Sequence, residues 1–377
     1  MKVCFVSHTG ELFGAERALV ELLQALRLNR IESFVIVPRR GPLFDLLTEL
    51  NIPCAVIRYY WWIGVRGVPF RKRLGKFLLS AIAAIPVSFR IFRWKADVVC
   101  TNTIAIFTGA LAAWIARKPH VWLIHEFVGE GYYMSPFLPF QVTMRLLNSL
   151  SDGIVANSKT TRRRYARYLP MSKMHVAYQA VLVEETYRKL SVGPFKHDDG
   201  TKCVSVGALI PSKGHSEAIQ ALAELKRAGA ELELAIIGAG PDRALLEVMA
   251  KAEGLSGNVS FSGNLRDPYP VMRAADIVLI CSRDEGFGRV TVEAMRLGKP
   301  LIAAASGATT ELIKDGFNGL LYQPGHPEEL AKKLRALLES ESLQSKLVQN
   351  ERQTAERFTL ERYGASVLSV FEKIMRE

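Results

Sequence analysis

The chain has 377 residues and a mass of 42.0 kDa, 49% of it apolar and 23% charged. At about 150 residues per domain that is two or three domains, each able to bury its own core, and a mostly disordered chain is excluded. The formal charge of +12 sits in one half: 24 Lys and Arg face 10 Asp and Glu up to residue 180, against 25 and 27 beyond it. A basic first half predicts a polyanionic partner, either nucleic acid or an anionic membrane surface.

The segment Met1–Gly10 runs straight into a strand-like pattern without the layout of a signal peptide. Five cysteines carry no CxxC or Cys/His spacing, so buried, reduced thiols are expected rather than zinc or a disulfide framework. Apolar strands are predicted at 2–7, 33–37, 54–57, 97–100 and 120–124, with helices at 14–28, 43–50, 75–93 and 104–116 between them. The alternation then restarts. Strands are predicted at 202–206, 232–237, 258–261, 276–280 and 300–304, with helices at 214–228, 241–253, 269–274, 289–297 and 328–338.

Short buried strands alternating with helices predict parallel sheets covered on both faces, so the fold class is α/β with two Rossmann-like doubly wound domains. The expected boundaries are 1–190 and 200–352, with the join in the polar stretch Ser191–Thr201. The terminal helix 359–375 is expected to cross back and complete the first domain through 359–377. In such sheets ligands bind beyond the carboxyl ends of the strands, and two facing domains would leave a cleft between them.

The loops after the strands carry the informative residues. Glu285-Gly286-Phe287-Gly288-Arg289 follows one strand and opens the helix bearing Glu293. Its glycines admit a ligand close to the backbone, and the first helical turn is an anion site suited to a diphosphate. A carboxylate at Glu293 is suited to a ribose diol rather than a phosphate, and Glu285 to a second sugar. Lys213 stands just before a helix in Gly207–His215, where an ammonium can pair with a phosphate oxygen. Gly238-Ala239-Gly240-Pro241 lacks the third glycine of a dinucleotide fingerprint, which disfavours dinucleotide binding. In the first half, Gly14 opens a helix after Thr9–Phe13, and His125 and Glu126 follow a strand directly, where His125 can bond a sugar hydroxyl or shuttle a proton.

Taken together, Gly14-Ala15-Glu16, His125, Lys213-Gly214, Gly238–Pro241, the Glu285-x7-Glu293 element and Gly307–Leu320 resemble the retaining family-4 glycosyltransferases, which have the GT-B fold of two facing Rossmann domains. The resemblance is dense from 202 to 325 and thin at 58–95 and 127–195. It implies that Glu293 binds the nucleotide ribose and Glu285 orients the donor sugar. Lys213 would hold the diphosphate, Gly14 would lie against it, and His125 would contact the sugar near the reacting centre. Gly286, Phe287, Gly288 and Arg289 would complete the donor site. The implied substrate is a nucleotide diphosphate sugar, with no cofactor. The family's phosphate-binding Lys commonly has an Arg five residues earlier; here that position is Ala208, and Arg289 is a conjectured substitute.

No Asp-x-Asp occurs, which favours a metal-free route. Tyr59–Trp62, Arg71–Arg73, the run 77–89 and Arg90–Lys95 combine aromatics, cations and apolar length. The run itself is too short for a membrane span and holds Pro86, so it is expected to lie in an interface with anionic lipid. A second cluster, Arg162–Arg164 with Arg167 and Tyr168, adds to the basic face. The sequence therefore predicts a transferase of polysaccharide biosynthesis, cytoplasmic and peripheral on the inner face of the membrane, with a glycan or lipid-linked acceptor. Two other readings are a sugar-nucleotide epimerase of the same architecture and a nucleic-acid-binding module, the latter unsupported by any nucleic-acid motif.

Overall fold

A computed structural model describes residues 1–65, 69–129, 134–183, 195 and 200–376. The chain divides into two compact units, Met1–Ala180 with Phe358–Glu377, and Val181–Arg357. Most of the expected join at Ser191–Thr201, including Gly193, Pro194 and Lys196–Asp199, lies outside the described residues.

Unit 1 opens with β1 (Lys2–Ser7), α1 (Gly14–Leu28), β2 (Glu32–Val37), α2 (Pro42–Glu49) and β3 (Cys54–Val56). It continues through β4 (Ile63–Val65), α3 (Phe70–Arg93), β5 (Val98–Asn102), α4 (Thr108–Ala116) and β6 (His120–Ile124). Then come β7 (Met134–Pro136), α5 (Phe140–Ser149), β8 (Gly153–Ala156), α6 (Lys159–Tyr165) and β9 (Met174–Val176). Seven strands form a sheet in the order β3-β2-β1-β5-β6-β8-β9, every pair parallel. β4 and β7 pair antiparallel outside it.

Unit 2 contains β10 (Thr201–Val206), α7 (His215–Arg227), β11 (Leu232–Ile237), α8 (Arg243–Ala252) and β12 (Val259–Gly263). α9 (Tyr269–Ala274), β13 (Ile277–Ile280), α10 (Arg289–Leu297), β14 (Leu301–Ala304) and α11 (Thr309–Leu312) follow. β15 (Leu320–Tyr322), α12 (Pro327–Leu338) and α13 (Glu341–Ala355) close it. The sheet order is β12-β11-β10-β13-β14-β15, all parallel. Each sheet reverses direction of growth once, at β1/β5 and at β10/β13, and those are the points where an open α/β sheet binds ligands.

The core follows from periodicity. α1 buries Leu19, Leu22, Leu23 and Leu26 at helical spacing against the sheet, each worth roughly 1.5–3 kcal/mol. The last helix, α14 (Leu360–Arg376), belongs to unit 1 and lies on α1 so closely that a Cβ at Gly364 would stand 2.9 Å from the Ala25 Cβ. Four cysteines are buried and reduced; Cys54, on edge strand β3, is only half-buried, a departure from the fully buried thiol its apolar neighbours suggested.

α3 differs most from the sequence pattern. It is one helix of 24 residues, about 36 Å long, starting at Phe70 and passing through Pro86, so it is neither too short nor too broken to cross a bilayer by length and composition. Pro86 is tolerated because it lies on the exposed face, away from the protein interior. One side packs Ser80, Ala83, Ala84, Val87 and Ile91 into unit 1, while Leu78, Ile82, Ile85, Phe89 and Phe92 are 50–76% exposed along the other.

Candidate active site

In unit 2 the loops after β10, β11, β13 and β14 are tied to one another at the carboxyl edge. Leu209 N–H donates to the Ala239 carbonyl at 3.0 Å, and Arg283 N–H to the Ser212 carbonyl at 2.8 Å. Gly214, at φ +64°, passes so near the Cys281 carbonyl that a side chain would overlap it. Ala308 N–H donates to the Glu285 carbonyl at 2.9 Å, with Gly307 packed on the same backbone. Beneath them buried Glu217 on α7 accepts from Arg283 Nε at 3.0 Å and Nη2 at 2.8 Å, Tyr322 Oη at 2.8 Å and Gly325 N–H at 3.1 Å. That network braces the loop of β13, and nothing in the sequence spacing of 217, 283 and 322 signals it.

The bracing brings Lys213, at the end of a 3-10 turn after β10, and Glu285, after β13, into a contact of 2.5 Å across the reversal point of the sheet. Burial would raise the Glu285 carboxyl, but the charge and hydrogen bond of Lys213, with Ser282, outweigh it and hold it below its ordinary value. Gly286 and Phe287 are buried. Gly288, at φ +86°, caps α10 with no side chain over the first turn, leaving an N-terminus of the kind that favours anions. Glu293 is 5% exposed on α10, 3.8 Å from Arg289 Nη2, and its Oε1 accepts from the Tyr269 hydroxyl at 3.3 Å. Tyr269 is a partner the sequence did not suggest. His215 adds no cation: burial holds its ring uncharged, its value pushed down to about 4.

Unit 1 carries the other sequence-selected residues. Gly14 is the exposed first residue of α1, whose first turn holds buried Glu16 at 2.8 Å from His8 Nδ1. Burial pulls the His8 ring down, but the Glu16 carboxylate more than compensates and its value is raised. His125 follows β6; its Nε2–H donates to Asn102 Oδ1 at 2.7 Å and its Nδ1 accepts from Gln179 Nε2 at 2.7 Å. Both ring nitrogens are engaged within unit 1, which fixes the orientation of the His125 ring beyond the end of β6. Asn102 also reaches the Ala15 carbonyl at 3.4 Å, which links His125 to the Gly14 turn. The next residue, buried Thr103, stands at φ +80°, a strained backbone for a β-branched residue that sets the turn displaying Asn102. Glu126 accepts from Ile104 and His125 N–H groups, and burial pushes it up to about 7. Asn102 and Gln179 lie 23 and 54 residues from His125 and left no trace in sequence spacing.

Two Rossmann-like units, one with a glycine-capped helix N-terminus and a lysine at its sheet reversal, have the GT-B fold. The chain belongs to the family-4 glycosyltransferases of that fold: residues 14–185 match Glycosyltransferase Family 4, and residues 188–354 match Glycosyl transferases group 1. It is 29% identical over 352 residues to the lipopolysaccharide core biosynthesis glycosyltransferase LpsE of Rhizobium meliloti, covering 92% of both chains. An uncharacterized glycosyltransferase of Methanocaldococcus jannaschii is 26% identical over 274 residues, 71% of this chain and 72% of that one. Among solved structures, Anabaena HepE in complex with UDP superposes with a TM-score of 0.77 at 24% identity, over 99% of this chain and 100% of that one.

Proposed function

We propose that this glycosyltransferase moves a hexosyl group from a UDP-sugar to a lipid-linked or glycan acceptor, with retention at the anomeric carbon and without a metal ion. The observation that carries the reading is the Lys213–Glu285 pair across the reversal point of the unit 2 sheet, beside the glycine-capped N-terminus of α10. A diphosphate placed on that helix end meets Lys213, and Arg289 lies at the first helical position. Glu285 is then released toward the sugar, and Glu293 is set to accept from the ribose hydroxyls. The bond between the anomeric carbon and the diphosphate oxygen breaks with its electron pair going to the diphosphate. The acceptor oxygen bonds the same face of that carbon, and its proton passes to the departing phosphate oxygen. Cations and the helix end stabilise the leaving charge, and no side chain forms a covalent bond. UDP is proposed as the nucleotide because HepE, of the same fold, was solved with UDP and with UDP-glucose.

The test is a panel of nucleotide sugars read by thermal shift and by product analysis. UDP-sugars should stabilise the chain and release UDP during transfer or slow hydrolysis. An isomerised donor with no nucleotide released would favour the epimerase, and no shift with any nucleotide would overturn the reading.

The acceptor is proposed to be met at an anionic membrane surface on the cytoplasmic side. α3 supports this: it carries six cations and no acid, and its exposed side is an unbroken apolar stripe from Leu78 to Phe92. The full chain should sediment with vesicles containing anionic lipid at low salt and much less with zwitterionic ones. Ile85→Asp with Phe89→Asp should abolish sedimentation while leaving nucleotide binding intact; equal recovery in the soluble fraction with both vesicle types would refute it.

A further inference from the structure

A basic cavity lies in unit 1 and shares Arg73 and Lys76 with the start of α3. The segment between β3 and β4 is pinned along its length. The Tyr59 hydroxyl donates to the Ser7 carbonyl at 2.5 Å, Tyr60 N–H to Ser80 Oγ at 2.8 Å, and Trp61 Nε1 to the His8 carbonyl at 2.7 Å. So held, it walls a cavity of about 820 Å³ that reaches His8 and Thr9 at the end of β1, a size suited to a small-molecule ligand. Cations from β2's loop, β3's loop and α3 line it, and no carboxylate does among the described residues. Arg39 is answered by Glu11 at 2.7 Å, and Arg73 donates to the Pro136 carbonyl at 2.6 Å. Arg58 and Lys76 have no carboxylate partner among the described residues, yet both are drawn to one ring, 5.6 and 5.9 Å from the centroid of Tyr60. Two cations that share one ring and have no carboxylate to answer them can both be met by a single bound anion.

We propose that this cavity binds the phosphate or diphosphate ester of the acceptor, with Arg58 and Lys76, held on the Tyr60 ring, as its direct contacts and Trp61 beside the group attached to it. The inference rests on the reading that unit 1 receives the acceptor of a glycosyl transfer. The ester can come from a lipid-linked diphosphate or from a soluble sugar phosphate, and the probes separate them.

The full chain, with UDP at saturation to fill the donor site, is titrated calorimetrically with inorganic pyrophosphate, glucose 6-phosphate, farnesyl diphosphate and, as the uncharged control, farnesol. Pyrophosphate and farnesyl diphosphate should bind despite the UDP. Arg58→Ala with Lys76→Ala should weaken both by roughly tenfold or more and flatten the salt dependence, while the thermal shift given by UDP is unchanged. Tighter farnesyl diphosphate assigns the lipid source, and tighter glucose 6-phosphate the soluble one. Binding unaltered in the double variant, farnesol binding as well as its diphosphate, or no anion bound beyond UDP would overturn the proposal. If UDP itself gives no shift, the donor reading fails, and the dependence of pyrophosphate binding on Arg58 and Lys76 still decides this one.

Discussion

Lys213→Ala should lower turnover by about 10²- to 10³-fold, the usual cost of removing one fixed charge donor from a leaving group. The structure gives the loss two sources. The ammonium that would answer the diphosphate is gone, and Glu285 loses the contact at 2.5 Å that holds its carboxyl ionised against burial. Its value must then rise, and with it the pH at which residual activity appears, since a protonated Glu285 accepts fewer hydrogen bonds from a sugar. Arg289→Ala is the companion experiment. If Arg289 replaces the family arginine missing at Ala208, its loss should cost about as much as that of Lys213. Ala208 is exposed, so an arginine fits there, and Ala208→Arg should restore turnover to the Arg289→Ala enzyme. Near-normal turnover in Arg289→Ala, or no rescue, would remove Arg289 from the leaving-group site. The kinetics are read as kcat and KM separately, because a residue that only shaped the loop would shift both alike.

Glu351→Met should stabilise unit 2 by about 2–4 kcal/mol at pH 7.5. Glu351, on α13, is fully buried, and burial pushes it up to about 9 from an ordinary 4.5, with a backbone hydrogen bond from Leu301 and the charge of Arg352 offsetting only part. The sign follows from the proton. Between about pH 4.5 and 9 the unfolded chain has released it and the folded chain still holds it, so each pH unit in that window costs about 1.4 kcal/mol of stability. A buried apolar side chain of similar length carries no such cost. The gain from Glu351→Met should therefore be small near pH 5 and grow toward pH 9. A gain that does not change with pH, or a loss across the range, would show that Glu351 is satisfied in a way its surroundings do not reveal. Chemical denaturation at several pH values measures it.

Which parts of this molecule were legible without coordinates follows from how local each signal is. β1, α1, β6, β11, α9 and α10 fall within a residue of their predicted spans because each is a continuous apolar run or a helical pattern, and all but β1 have a Gly or Pro at an edge. Apart from the amphipathic α5, the elements not foreseen are short or weakly patterned. β8 is four residues, β4 and β7 are three each, and α13 is mostly polar, with only Leu347, Glu351 and Ala355 buried along it. The start of α3 lies five residues before its predicted one because Phe70–Lys76 is dense in cations, while its continuity through Pro86 matches the predicted span 75–93.

The amino-acid order by itself determined the two doubly wound units, the loops that bear their chemistry and the family, because strand and helix periods and glycine-rich turns are written in neighbouring residues. Only the tertiary structure decided the partners: Lys213 with Glu285 across 72 residues, Glu293 with Tyr269, Glu217 with Arg283, and His125 locked between Asn102 and Gln179. Strand order in a parallel sheet is set by crossovers, so residues far apart in the chain share one edge, and no local period records which of them will meet.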